Sequence, residues 1–190
     1  MLKDAIIEYC APTLAGIKTG NMFSIKNDGI DVDKEIRELN RVLVNKGLRL
    51  VPLRRKKETT LIYLYRPERL DKDLVDPCAM EILKSKGYSC GNSERCIVEL
   101  VKHIESDPGF PHEIGLFLGY PPLDVKKFMA DPFNGVKCVG CWKAYDNERE
   151  ARKTFDRYKR CTAVYCRESK RGKPLEALIV DTHSAVRLAI

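Results

Sequence analysis

The run Leu118-Gly119-Tyr120-Pro121-Pro122 leaves the backbone fewer choices than any other part of this 190-residue chain. Glycine is the residue that takes the left-handed conformation after a helix end cheaply, and a Pro-Pro pair cannot continue a helix but can begin one. Upstream, Pro111 suits a first helical position, and Ile114, Leu116, Phe117 and Leu118 make an almost wholly apolar turn that has to be buried. Downstream, Val125, Phe128 and Met129 fall on one face of a second helix. The segment 111–129 therefore predicts a helical hairpin or corner. His112 and Glu113 come in the first turn of the first helix, where an imidazole can offer its lone pair to a proton or a metal.

The rest of the chain supplies strands and amphipathic helices around this joint. A short helix is predicted over Leu2–Tyr9, ended by Pro12, followed by one or two short strands within Thr13–Ile25. Lys18 lies there between Gly16 and Gly20, glycines that mark a bulge or a close approach of backbone or ligand. Asp33 caps a helix with Ile36, Leu39, Val42 and Leu43 on one face, stopped at Gly47. Leu48–Leu53 and Thr59–Tyr65 read as a β-hairpin with the basic tip Arg54-Arg-Lys-Lys57, Pro52 marking its strand as an edge or a short one. Helices follow from Pro67 to Ser106, with Asp76-Pro77 opening one, Gly87 stopping it and Asn92 or Ser93 opening the next.

After the hairpin, Val136–Tyr145 reads as extended. Asp146 or Asn147 caps a basic helix, Glu148–Arg160, with Ala151, Phe155 and Tyr158 inward on a sheet that includes a strand at Thr162–Cys166, before a turn at Gly172-Lys-Pro174. The tail past Leu175 fits a strand with a helix or two helical turns. The predicted fold is α+β: a small mixed or antiparallel sheet packed with several amphipathic helices, in one domain over 1–190. Its parts are a hairpin-bearing 1–66, a helical 67–130 and a β-α-β portion over 136–180.

The segments Cys10-Ala-Pro-Thr-Leu-Ala-Gly-Ile-Lys18, Pro111–Met129 and Cys138-x-Gly140-x-Trp142-Lys143-x-Tyr145 together resemble an uncharacterised family found largely in anaerobic bacteria, domain of unknown function 3793. The resemblance spans nearly the whole chain. It implies a shared fold and a cytosolic setting and brings no established activity.

The residues themselves point the same way on location. Asp4 and Glu8 interrupt the N-terminal stretch where a secretory signal has an unbroken apolar core, and no apolar run approaches the ~18 residues a membrane helix needs. A cytosolic place without membrane association is the expectation, and there eight cysteines favour burial, redox chemistry or metal binding over disulfides. The net charge of +7 is carried by Arg149–Lys173, with ten basic residues against three acidic ones, a face for solvent or for an acidic partner.

Cys10, His112, Glu113 and Cys138 can all bind a borderline metal such as zinc or iron and are placed at element ends or loops, where sites are assembled. They form the candidate metal set. Cys10, Lys18, His112, Glu113, Trp142 and Lys143 form the candidate set for a small ligand, the indole able to stack and the lysine to pair with it. Burial of the cysteines and capping by His112 and Glu113 is the structural alternative.

Cys138-x2-Cys141 with Cys161-x4-Cys166 could hold a tetrahedral zinc, although the second spacing is loose. A nucleophilic pair of Cys10 or Cys138 with His112 as base is the enzyme alternative, without a hydrolase signature to support it. The nucleic-acid alternative reads Glu113–Val125 as the centre of a helix-turn-helix regulator. There Leu116 and Phe117 are apolar at positions such a motif keeps polar, and the second helix offers Lys126 and Lys127 as its evident DNA contacts.

Overall fold

The structure, a computed structural model, describes residues 2–29, 31–89, 91–106 and 109–181. The architecture is α+β, and the chain divides into two compact units, Met1–Glu68 with Arg160–Ile190, and Arg69–Lys159. Among the described residues no helix is long and apolar enough to cross a membrane.

The first unit is built on an antiparallel sheet in the order β1-β3-β2, with β1 Gly20–Lys26, β2 Arg49–Arg55 and β3 Thr59–Tyr65. Pro52 sits on the edge strand, as its missing N–H requires, and the register slips between Pro52 and Arg54 in a bulge. Strand alternation splits β3 cleanly. Ile62 and Leu64 join Phe23 and Leu50 in a core shared with helices α1 (Leu2–Leu14) and α2 (Val32–Leu43), while Tyr63 and Tyr65 stack on each other at 4.8 Å on the other face. Gly20 makes that stack feasible, since a Cβ there would run into the Tyr63 ring.

Three local expectations are corrected in this unit. Pro12 does not end the first helix: α1 runs to Leu14, and the stop is Gly16 at φ +72°. A proline forfeits one intrahelical bond, and burial of Thr13 and Leu14 outweighs that loss. Residues 13–19 are accordingly helix end and turn, and the strand begins only at Gly20. The cap of α2 is Asp31, which accepts from the Lys34 N–H, whereas Asp33 lies in the first turn with Arg55 2.5 Å away.

The second unit is mainly helical. α4 (Pro77–Ser85) is capped by Asp76, which accepts from the N–H groups of Cys78 and Ala79, and Gly87 follows at φ +82°. α5 (Ser93–Ser106) is preceded by Asn92, whose side chain accepts from Arg95. α6 (Ile114–Phe117), Gly119 at φ +72° and α7 (Pro122–Ala130) form the predicted corner, with Leu116 and Phe117 buried. Val136–Tyr145 becomes a two-stranded hairpin, β4 Cys138–Val139 with β5 Lys143–Ala144.

Two helices, α3 (Pro67–Leu74) and α8 (Glu148–Lys170), contribute residues to both units. The predicted strand at Thr162–Cys166, and with it the β-α-β portion over 136–180, is not found: α8 is one helix of 23 residues. No glycine or proline interrupts it, and past Arg160 the partly buried positions are Cys161, Thr162, Tyr165, Cys166, Glu168 and Ser169, a helical spacing that overrides the weak β-propensity of Thr162 and Val164. Ala151, Phe155 and Tyr158 do turn inward, toward the β4–β5 hairpin in the case of Ala151 and Phe155. A short α9 (Leu175–Leu178) follows the Gly172 turn, and its leucines join the first unit's core; residues 182–190 of the tail lie outside the described residues.

Candidate functional site

The corner between α6 and α7 and the β4–β5 hairpin enclose a cleft of about 340 Å³ in the second unit. Tyr120, Phe128 and Trp142 wall it, and His112, Cys141 and Lys143 add its polar and reactive groups. Its shape depends on two glycines. A Cβ on Gly115 would lie 2.8 Å from Val125, and one on Gly140 would overlap the Phe155 ring, so a side chain at either point would disturb the walls.

Trp142 is fixed from several sides. Tyr120 lies against it with ring centroids 5.1 Å apart, Phe155 meets it edge-on at 4.5 Å, and its indole N–H donates to Asp124 Oδ2 at 2.8 Å. Asp124 is itself buried, and its Oδ1 accepts from the backbone N–H groups of Tyr145 and Asp146 at 2.8 and 3.1 Å. Three N–H donors thus satisfy a carboxylate that the sequence presents as an ordinary acid in the first turn of a helix. The Lys143 ammonium donates to the Pro132 carbonyl at 2.9 Å and lies over the Phe133 and Phe128 rings at 4.8 and 5.7 Å. His112 meets Phe128 edge-on at 5.1 Å. Burial raises the Tyr120 phenol well above its ordinary value, with Cys141 adding to the effect, so Tyr120 enters the cleft as a neutral ring with a hydroxyl.

Glu113 does not cap a helix. α6 starts only at Ile114 and is a single turn, and the Glu113 carboxylate makes no capping bond; its Oε1 accepts from Tyr88 Oη at 3.1 Å and meets His103 Nδ1 at 3.2 Å. Tyr88 also packs edge-on against the His103 ring at 4.7 Å. Burial first, then the Glu113 charge, drive the Tyr88 phenol far upward. Glu113 and His103 border a second cleft of about 430 Å³ whose wall also includes Lys86 and His112.

The structure therefore brings His112, Trp142 and Lys143 around one cleft, and His112 and Glu113 around another. Cys138 is buried in a small cluster with Ala144 and Ala151, behind Trp142 and Phe155. Cys10 and Lys18 belong to the first unit. Cys10 is 0% exposed within that unit's core, its thiol pushed up by burial against a lesser opposing pull from Lys18, and the Lys18 ammonium donates to the Gly20 carbonyl. Among the described residues no group of three or more His, Cys, Asp and Glu is arranged to hold a metal ion. Cys161 and Cys166 are half-buried on α8.

Sequence reasoning passed over Tyr88, His103, Tyr120, Asp124 and Phe128 as site residues. Only Tyr120 carried a usable signal, an aromatic side chain held between Gly119 and Pro121. His103 and Asp124 sit in regular helices, where nothing local distinguishes them from solvated polar residues.

A family model described as protein of unknown function (DUF3793) matches residues 6–179. No curated protein and no solved structure matches the chain.

Proposed function

The chain belongs to the DUF3793 family, and we propose that it is a small-molecule-binding protein whose ligand lies in the aromatic cleft of the second unit. The observation that carries this reading is the pre-set Trp142. Its ring is held by Asp124, Tyr120 and Phe155 yet remains part of the cleft wall, so the indole has little rotamer freedom left to lose on ligand entry. Predominantly apolar walls, a few directed polar groups and a volume of about 340 Å³ suit a compact planar molecule.

Two features weigh against the regulator reading. Leu116 and Phe117 are 2% and 0% exposed, and the Lys126 ammonium is held by both oxygens of Glu81 at 2.9 and 2.8 Å. One of the two evident DNA contacts is engaged within the protein. A nucleophilic Cys-His pair finds little support either, with Cys10 in a core and Cys138 in an apolar cluster.

Trp142 is the chain's single tryptophan, so its emission reports on the cleft directly. Titration with benzamide, a neutral planar probe that does not emit where tryptophan does, should give a saturable change in emission. Cys141→Phe, which fills the cleft at an exposed position, should abolish that response while leaving the melting temperature within about 2 °C. An emission change that is absent, or the same in the filled variant, overturns the proposal. Elemental analysis of protein purified without oxygen supplies the contrasting test: stoichiometric zinc or iron would replace this reading with a metal site.

A further inference from the structure

The second cleft holds a different kind of chemistry. Glu113 is 3% exposed and carries a carboxylate into the interior, a costly placement unless the carboxylate has partners. Its described partners are Tyr88 Oη and His103 Nδ1, both on Oε1. The bond to Nδ1 fixes the imidazole's orientation, and the edge-on Tyr88 ring fixes its plane, so Nε2 is the nitrogen left for a ligand. His103 lines the cleft with about a third of its side chain exposed.

Lys86 lines the same cleft, exposed and, among the described residues, with no carboxylate against its ammonium. Phe110, Pro111 and Met129 are the apolar members of the lining. His112 lines this cleft and the aromatic one alike, so the two adjoin at a single imidazole.

We propose that this second cleft is an anion subsite: it takes the carboxylate or phosphate of a small acid whose apolar body occupies the aromatic cleft. Lys86 contributes charge, and His103 contributes an Nε2–H bond to the anion, the proton coming from solvent and the resulting imidazolium being balanced by Glu113. Glu113 acts through His103 and is a positioning residue. The inference rests on the aromatic-cleft reading and adds the ligand's chemical class to it.

The test follows the imidazole nitrogens of His103 and His112 by long-range proton–nitrogen NMR, alongside Trp142 emission. Benzoate, phenyl phosphate, inorganic phosphate, acetate and benzamide are the probes, with sodium chloride as the ionic-strength control. Benzoate or phenyl phosphate should move His103 Nε2 and Trp142 together and saturably. Lys86→Gln, at an exposed position, should weaken their binding about tenfold and leave benzamide binding unchanged.

A His103 Nε2 signal that no anion moves, or that follows chloride equally, sinks the subsite. If benzamide still binds in that case, the aromatic-cleft reading survives it; if benzamide fails as well, both fall. Inorganic phosphate binding as tightly as phenyl phosphate, without a Trp142 response, would identify free phosphate as the ligand and overturn the spanning arrangement.

Discussion

The two units use the same residue types to opposite ends. In the first, the buried cations Lys18 and Arg66 are turned onto the backbone: Lys18 donates to the Gly20 carbonyl, and Arg66, 1% exposed, donates to the carbonyls of Thr13 and Leu14 at 2.8 Å and of Val180 at 2.7 Å. It closes the end of α1, whose last turn has no basic residue of its own, and ties that end to the segment after α9. In the second unit, Cys141 and Lys143 face a cleft, and Asp124 and Glu113 are buried to hold a tryptophan and a histidine at cleft walls. Interior polar groups that bond only to backbone stabilise a fold, whereas interior polar groups that orient a cleft-lining ring prepare a surface for something else.

The contrast is sharpest for the two thiols. A maleimide chase read by mass spectrometry should label Cys141 at least ~1000-fold faster than Cys10, because Cys10 becomes reachable only when its unit opens at a cost on the order of 5 kcal/mol. Similar rates would mean that the first unit's core opens locally and that Cys10 belongs with the accessible groups after all.

Next in size is Arg66→Met. Its loss strips donors from four backbone carbonyls, those of Thr13, Leu14, Lys46 and Val180, and should cost on the order of 4 kcal/mol in urea unfolding followed by circular dichroism. A cost under ~1 kcal/mol would show that other donors replace it, and the first unit would lose its distinguishing tie.

Phe155→Ala should cost about 3 kcal/mol and shift Trp142 emission to the red, since it removes the ring that meets the indole edge-on. Stability lost without a spectral shift would show that Trp142 is held by Asp124 and Tyr120 alone. The smallest effect belongs to the basic face of α8. Changing Arg149, Lys153 and Lys159 together to glutamine should alter stability by less than ~0.5 kcal/mol, because these positions are exposed and the Lys153–Glu150 pair is a solvated one. A larger loss would mean that charge, and not the inward stripe of Ala151, Phe155 and Tyr158, holds the helix.

What the sequence determined by itself was decided within a few residues of chain. Gly119 with Pro121-Pro122 sets the α6–α7 corner, Asp76-Pro77 opens α4, Gly87 and Gly47 stop the segments before them, and the Leu48–Tyr65 pattern makes the hairpin. Steric limits on φ, missing N–H groups and capping oxygens act over one helical turn or one strand pair, so they can be read without knowing the fold. The same locality explains the misreadings. Alternation at Thr162–Cys166 is ambiguous over five residues and was resolved by the helical spacing of partly buried positions along all of α8, and Pro12 was overruled by the burial of the two residues after it.

Of the candidate site, His112, Trp142 and Lys143 were legible as an imidazole, an indole and an ammonium in suggestive segments, and the structure places them at one cleft. The roles of their supports were not legible. Glu113 bonds to Tyr88 across 25 positions and Asp124 to Trp142 across 18, while Cys10 vanishes into a core assembled from both ends of the chain. Burial and hydrogen-bond partnership between distant segments come into being only when those segments pack, which is why tertiary structure alone decided which polar side chains hold the fold and which hold a cleft open.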